Sequence, residues 1–171
     1  YSVNRNEGLY ELALAALDVP QIPASLRIVG AHSIDQTLLI EWMEAYEIEA
    51  LGASKQEGFH ERAVLKAEGL RQQDGWVLLR HQEPFALAGL NARLNEVVQV
   101  GPVWTPPAHR NQGYARLLLA AVLAEEREKG VQKAVLFTDN PAAVKAYEAI
   151  GFTQRGNYRL ALLKKPWASG T

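Results

Sequence analysis

The sequence predicts a mixed α/β fold, a central and mostly antiparallel sheet with helices, and three observations predict it. Val97–Trp104 and residues 134–138 are β-forming runs joined by the helix former Leu117-Leu-Leu-Ala-Ala-Val-Leu-Ala124, so these two strands should run parallel. Residues 75–80 and 85–88 flank the turn signal Gln82-Glu-Pro84, which reads as an antiparallel hairpin. Two helical patterns, over residues 36–46 and 56–70, precede that hairpin. The order is strand, two helices, three antiparallel strands, helix, strand, helix, strand.

Composition narrows the class. With 171 residues the chain is one large domain or a domain plus an arm, long enough for a substantial core. The 48% hydrophobic and 22% charged content are those of an ordinary soluble globule. The net charge of -1 calls for neither nucleic acid nor an anionic membrane as partner. The absence of cysteine excludes disulfides, a thiolate nucleophile and cysteine metal sites, and the four histidines lack ligand spacing, so no metal is expected. No run has the length and apolarity of a membrane span and no signal peptide is evident, which reads as cytoplasmic. The chain starts at Tyr1 and its only methionine is Met43, as in a processed or truncated product.

Residues 1–21 place Leu9, Leu12, Ala13, Ala16 and Leu17 at helical spacing, closed by Pro20. Residues 1–23 therefore read as an N-terminal helical arm that packs on the main domain, residues 24–171. The sharper alternatives are the remnant of an upstream segment or a homodimer contact. Residues 26–29 form a short strand. Ser33-Ile-Asp-Gln36 reads as a capping box opening a helix through Tyr46. Glu41, Glu44, Glu47 and Glu49 give that helix a solvated face or, in the sharper reading, an acidic wall.

The hairpin follows, then a turn near Arg93-Leu-Asn95 and the central strand, ended by Pro106 and Pro107 because neither can donate to a ladder. Arg110-Asn-Gln-Gly113-Tyr-Ala115 turns the chain into the long helix, with Gly130 as its stop. The loop presents backbone N–H groups without intrahelical partners, at the positive end of the helix dipole. Such a place binds phosphate; Gly113 permits close approach and Ala115 keeps the first turn small. Val135-Leu-Phe137 is apolar on both faces, as a covered strand should be. Asn140 is a good N-cap, Pro141 suits the first helical position, Ala143 and Tyr147 share a helix face, and Gly151 suits a left-handed stop. Residues 158–163 form the last strand. Both the loop and Asn140 lie beyond the carboxyl ends of strands, where such sheets bind ligands.

Two blocks carry a resemblance. Arg110-Asn-Gln-Gly113-Tyr-Ala115 resembles the Arg/Gln-x-x-Gly-x-Gly/Ala signature of the GNAT N-acetyltransferases. The second block is Val131-Gln-Lys-Ala-Val-Leu-Phe-Thr138 followed by Asp139-Asn-Pro-Ala-Ala-Val-Lys-Ala-Tyr-Glu-Ala-Ile-Gly-Phe152. It is similar to that family's strand, Asn, Tyr-bearing helix and Gly-Phe. Together the blocks span residues 97–152.

The resemblance implies the GNAT fold, with helices on both faces of the sheet and a parallel pair splayed at the cofactor. It implies acetyl-CoA as cofactor and acyl transfer to a primary amine, on a small molecule or a peptide. The pyrophosphate of coenzyme A would lie on the amides of Arg110, Asn111, Gln112, Gly113, Tyr114 and Ala115, with Asn140, Ala143 and Tyr147 beside it. Val103 is the candidate amide donor to the carbonyl oxygen, Gly101-Pro102 marking a bulge that frees it, and Val103 and Thr105 are candidates to pair with the pantetheine amides.

Tyr147 is the candidate general acid for the leaving thiolate, against the alternative of a core aromatic beside Phe152. Glu96, at the start of the central strand, is the candidate base, since Gln99 cannot accept a proton. A water chain ending at Glu96, a carboxylate of the acidic wall, or Glu96 as a mere turn residue are the competing readings. A non-catalytic acyl-CoA-binding module is the alternative function. A nucleotide-binding domain is disfavoured, because the loop has neither Gly-Lys-Ser/Thr nor Gly-x-Gly-x-x-Gly.

Overall fold

The computed structural model describes residues 3–53, 55 and 57–162, and in it the β-forming runs join one sheet. The strands are β1 (Val3–Ala13), β2 (Leu26–Gly30), β3 (Gly75–Arg80), β4 (Glu83–Arg93), β5 (Val97–Trp104), β6 (Lys133–Thr138) and β7 (Thr153–Leu162). Their order is β2-β3-β4-β5-β6-β1-β7. Only β5 and β6 are parallel, paired at Val97–Lys133, Val98–Ala134 and Gln99–Val135. The ladder stops there, and the two strands part toward their carboxyl ends.

Four helices complete the described chain: α1 (Gln36–Leu51), α2 (Phe59–Gly69), α3 (Tyr114–Glu128) and α4 (Pro141–Glu148). Leu39, Trp42 and Met43 of α1 and Ala63 and Ala67 of α2 bury against Val77, Leu79, Leu87 and Trp104 on one face of the sheet. The other face takes α3: Leu118 and Val122 meet Leu78, Ala86 and Ala88. Leu119, Ala120 and Leu123 meet Leu90, Val98, Val100 and Leu136. Leu118, Leu119 and Leu123 are fully buried, each contributing about 2 kcal/mol. Among the described residues, no helix is long and apolar enough to cross a membrane.

Charge pairs fix the helices in register. Glu47 of α1, 3% exposed, meets Lys66 of α2 at 3.2 Å and Arg62 at 3.5 Å. Glu126 of α3 is fully buried and takes Arg93 of β4, which reaches Asp74 at 2.7 Å, and Lys129 at 3.1 Å.

The largest departure from the sequence reading is at the N-terminus. Residues 3–13 are not a helical arm but strand β1, antiparallel to β6 on one side and β7 on the other, followed by a single 3-10 turn, Leu14–Ala16. Tyr10, Leu12 and Leu14 are 6%, 2% and 0% exposed, a period of two that coexists with the helical spacing of Leu9, Leu12, Ala13 and Ala16. The slot between β6 and β7 decides between the two periods, since only an inserted strand satisfies the backbone groups on both sides.

Smaller departures are local. Asp35, not Ser33, caps α1: its side chain accepts from the Leu38 amide at 3.2 Å, while Ser33 belongs to a preceding 3-10 turn. Helix α1 continues past Tyr46 to Leu51 and stops at Gly52, whose φ is 65°. Gln56 lies outside the described residues; α2 begins at Phe59 and ends in a wide turn over Leu70–Asp74. The hairpin turns on His81 and Gln82, with φ of 48° and 69°, one position before the expected turn. Strand β7 starts at Thr153 rather than at 158, and Leu163 lies outside the described residues.

Beside the site, β5 bulges. Ala88 pairs with Val103 but Leu90 pairs with Val100, so Gly101 and Pro102 together oppose the single residue Gly89. Gly101 has φ 146°, and a Cβ there would come within 2.5 Å of the Asn91 side chain. The bulge reverses the strand's parity: Val98 and Val100 face α3, whereas Trp104 faces α1 and α2.

Candidate active site

The parting of β5 and β6 opens a cavity of about 890 Å³ that crosses the sheet. One half is bounded by the loop before α3 and by Asn140, Ala143 and Tyr147. The other half is bounded by Tyr46 and Glu49 of α1 and by Glu7, Gln99, Phe137 and Tyr158.

The loop is built to leave donors unpaired. A 3-10 turn, Pro107–His109, leads to Asn111 and Gly113, both left-handed with φ of 60° and 79°. The first helical bond runs from the Leu117 amide to the Gly113 carbonyl at 3.0 Å, and no side chain caps α3. The amides of Tyr114, Ala115 and Arg116 thus lack intrahelical acceptors at the positive end of a 15-residue helix. Left-handed residues alternating with ordinary ones curve successive N–H groups into an anion-binding concavity, and a pyrophosphate fits that chemistry.

Side chains around the loop are committed elsewhere. The Tyr114 hydroxyl donates to Gln112 Oε1 at 3.1 Å and receives Arg80 at 3.4 Å, while its ring meets Phe85 edge-on at 5.2 Å. Arg110 donates from Nε to the Thr105 carbonyl at 3.0 Å, pairs with Glu49, and lies 5.0 Å from the Trp104 ring.

At the second helix start, Asn140 caps α4 as its sequence predicts: Oδ1 accepts from the Ala142 amide at 2.9 Å and the Ala143 amide at 3.5 Å. Pro141 occupies the first turn. One turn on, Tyr147 reaches the cavity with 8% exposure and also packs 5.9 Å from Phe152. Burial, with a smaller contribution from Tyr46, pushes its phenol pKa well above the ordinary value. Its proton therefore stays on at neutral pH, which leaves a hydroxyl able to donate there.

Val103, Thr105, Arg110, Asn111, Gly113, Tyr114, Ala115, Asn140, Ala143 and Tyr147 all line the cavity; Gln112 and Glu96 do not. Glu96 sits at the far end of β5, on the order of 30 Å from Thr105 at roughly 3.3 Å per residue. Its carbonyl accepts from the Gln132 and Lys133 amides, and its carboxylate accepts from Gln132 Nε2 at 3.0 Å. It braces the turn from α3 into β6, three residues before Gln99, where β5 first lines the cavity. Residues missed in the sequence also line the cavity. Arg116 was readable as a cation within the first turn of α3. Glu7, Tyr46, Phe137 and Tyr158 carried no local signal, because only the sheet order brings them to one place.

Comparison with known proteins agrees with this geometry. The chain is 41% identical over 71 residues to an acetyltransferase of Agrobacterium fabrum, covering 42% of this chain and 50% of that one. It is 38% identical over 68 residues to the mycothiol acetyltransferase of Thermobispora bispora, covering 39% and 22%. The matched stretches thus span half or less of these curated relatives. Among solved structures, a GCN5-related N-acetyltransferase from Kribbella flavida superposes with a TM-score of 0.61 at 20% identity, covering 91% of this chain and 58% of that one. A predicted acetyltransferase of Clostridium acetobutylicum, solved with acetyl-CoA, superposes with a TM-score of 0.57 at 17% identity, covering 76% and 90%. The profile of the acetyltransferase (GNAT) family, whose members take their acyl group from acetyl-CoA, matches residues 36–152. With that match and a mixed sheet that splays at its one parallel pair, the chain belongs to the GNAT acetyltransferase family.

Proposed function

We propose that this protein transfers an acetyl group from acetyl-CoA to a primary amine by direct attack. The observation that carries the reading is the cavity itself. It joins an amide-lined anion site and a buried phenol on one side of the splayed strands to a carboxylate- and aromatic-lined chamber on the other.

Acetyl-CoA supplies an activated thioester: the amine nitrogen gains the acetyl carbon and the carbon–sulfur bond breaks, and of the two protons the ammonium gives up one is released and the other ends on the CoA sulfur. The chain's own residues hold and orient. The amides of Tyr114, Ala115 and Arg116 bind pyrophosphate, and Arg116 adds a cation within the first turn of α3. Val103 and Thr105 offer strand backbone to the pantetheine arm, and the Val103 amide is the candidate donor to the carbonyl oxygen. Tyr147 holds a proton at Oη for the departing sulfur. An alkylammonium with a pKa near 10.4 must also lose a proton before it attacks, and that proton leaves through the carboxylate side of the cavity.

The test is release of free CoA over a panel of amines, paired with melting shifts for acetyl-CoA, ATP and NAD. Stabilisation by acetyl-CoA alone, with CoA released only when an amine is present, supports the reading. Stabilisation by acetyl-CoA without release from any amine would leave a binding module, and stabilisation by ATP or NAD instead would overturn it.

A further inference from the structure

We infer that the side-chain amides of Asn91 and Gln99 select the acceptor, and that this acceptor is a primary amine on a hydroxylated ring, an amino sugar. The inference rests on the acyl-transfer reading for its chemistry and on the register of the sheet for its geometry.

Asn91 of β4 and Gln99 of β5 come from adjacent strands. Leu90, Val98 and Val100 turn into the core beneath α3, so alternation sends Asn91 and Gln99 to the opposite face. Register sets them side by side, since Leu90 pairs with Val100 and Ala92 with Gln99. Side chains so placed stand roughly 5 to 8 Å apart at Cβ, within the span of one bound ring. Both line the cavity, Asn91 exposed and Gln99 half-buried, and neither side chain has a hydrogen-bond partner among the described residues. Asn91 is seated on the bulge of β5: a Cβ at Gly101 would come within 2.5 Å of its Nδ2, so the glycine clears the space that the amide occupies. That seat is two residues from Val103, the candidate donor to the acetyl carbonyl.

Across the parting the same face becomes aromatic. Gln99 pairs with Val135 of β6, and Phe137 stands one pleat farther on. Ala134 and Leu136 turn into the core beneath α3, which leaves Phe137 on the face of Gln99. Its ring meets that of Tyr158 across β1 at 4.4 Å. Tyr158 is 43% exposed, and both rings line the cavity.

A carboxamide carries two donor hydrogens and an acceptor oxygen without charge. Two of them, unpaired and adjacent, match neutral groups that both give and take hydrogen bonds, as hydroxyls do. A sugar ring presents such hydroxyls at its edge and C–H groups on its faces, and the C–H faces suit the exposed rings, in the usual division between an apolar wall and a few orienting polar groups. The cations of the cavity argue against an acidic acceptor. Among the described residues only two arginines and no lysine line it. Arg110 gives both Nη atoms to Glu49, at 2.7 and 2.9 Å, and its Nε to the Thr105 carbonyl. Arg116 lies in the first turn of α3, on the cofactor side. A carboxylate on the acceptor would therefore find no unpaired cation of this kind in its half, and a purely apolar amine would desolvate the two amides without pairing them.

Two measurements on the full chain separate this inference from the reading beneath it. Calorimetry against the CoA-loaded protein compares three probes: glucosamine, cyclohexylamine as a ring amine without hydroxyls, and alanyl-alanine amide as a peptide amine without a carboxylate. Glucosamine should bind the wild type at least about tenfold more tightly than either of the others, the gain from two or more neutral hydrogen bonds. Asn91→Leu and Gln99→Met keep the bulk and remove the amide. Each should weaken glucosamine by about three- to tenfold and leave cyclohexylamine within about twofold, and the double variant should no longer distinguish the two amines. Unchanged CoA affinity reports that the variants are folded. Cyclohexylamine binding the wild type as tightly as glucosamine, no glucosamine binding at all, or a preference that survives in the double variant overturns the inference. The peptide amide binding as tightly as glucosamine overturns the sugar and makes the acceptor a peptide. Release of CoA is scored separately: a wild type that selects glucosamine through these amides but releases no CoA from any amine defeats acyl transfer and leaves the sugar site standing.

Discussion

Arg110, on the loop before α3, and Glu49, two residues before the end of α1, form a two-point ion pair, Nη1 to Oε1 at 2.7 Å and Nη2 to Oε2 at 2.9 Å. The guanidinium also covers the Trp104 ring at 5.0 Å and its Nε binds the Thr105 carbonyl. The first cation of the loop is thus used to tie the cofactor side of the cavity to the helix bounding the other side. Glu49 and Arg110 are 47% and 34% exposed, so the pair has a surface strength, about 1 kcal/mol after solvent screening. Glu49→Gln should loosen the loop and weaken CoA binding by roughly three- to tenfold, since 1.4 kcal/mol is a tenfold change. A double-mutant cycle with Arg110→Gln, read by calorimetry, should give a coupling of about 1 kcal/mol. Strictly additive losses would mean that the two side chains do not act together.

Gly113 separates two requirements that usually arrive together. Its φ of 79° disfavours any side chain by about 1 kcal/mol, yet an added Cβ would meet only Arg116 Nη2, at an ordinary 3.6 Å. Gly113→Ala should therefore lower stability modestly and retain measurable CoA binding. Gly113→Glu should abolish CoA-induced stabilisation, because its carboxylate would stand among the amides proposed to hold pyrophosphate. Unchanged CoA affinity in the glutamate variant would remove this loop from cofactor binding.

Tyr147 is placed so that packing and proton donation are distinguishable. Its ring packs with Phe152 whether or not the hydroxyl is present. Tyr147→Phe should keep CoA affinity within about threefold and lower turnover by roughly 10- to 1000-fold, the range for one general acid. Unchanged turnover with a working amine would make it a packing residue only.

What could be read from the chain was what local chemistry encodes. The loop and its glycine, the Asn140 cap with Pro141, the strand–helix–strand crossover and the bulge at Gly101-Pro102 each depend on residues within a few positions of one another, and each stands where its residue types require. Strand β1 was misread because Leu9, Leu12, Ala13 and Ala16 satisfy a helical period while Tyr10, Leu12 and Leu14 satisfy a strand's, and the deciding partner, β6, lies more than a hundred residues away. The same distance hides part of the cavity lining: Glu7, Phe137 and Tyr158 meet only through the order of β6, β1 and β7, and Glu96, close to β5 in sequence, does not line the cavity.

The Arg93–Glu126 pair makes a stability prediction with a definite sign. Burial is the largest influence on Glu126 and opposes its ionisation, but the hydrogen bonds and charges of Arg93 and Lys129 outweigh it and hold the carboxyl below its ordinary value of 4.5. A carboxyl depressed on folding binds its proton more readily in the unfolded chain. The stability it lends is therefore complete above about pH 4.5 and is lost as the pH falls through the lower, folded value. Glu126→Gln removes that dependence and leaves Arg93 facing a neutral amide at a fully buried position. Asp74 still pairs with Arg93 at 2.7 Å, so the loss at pH 7 should be about 2 kcal/mol rather than the larger cost of stranding a wholly buried charge. For a chain of this size that is a fall in Tm of roughly 5 °C. Glu11, held below the ordinary value chiefly by its hydrogen bond from Lys133, titrates in the same range. The measurement is accordingly the difference between wild type and Glu126→Gln, followed by thermal unfolding from pH 7 to pH 3. The gap in Tm should be widest at neutral pH and narrow steadily below pH 4.5. A gap that stays constant across this range would show that Glu126 supports the fold by packing rather than by charge.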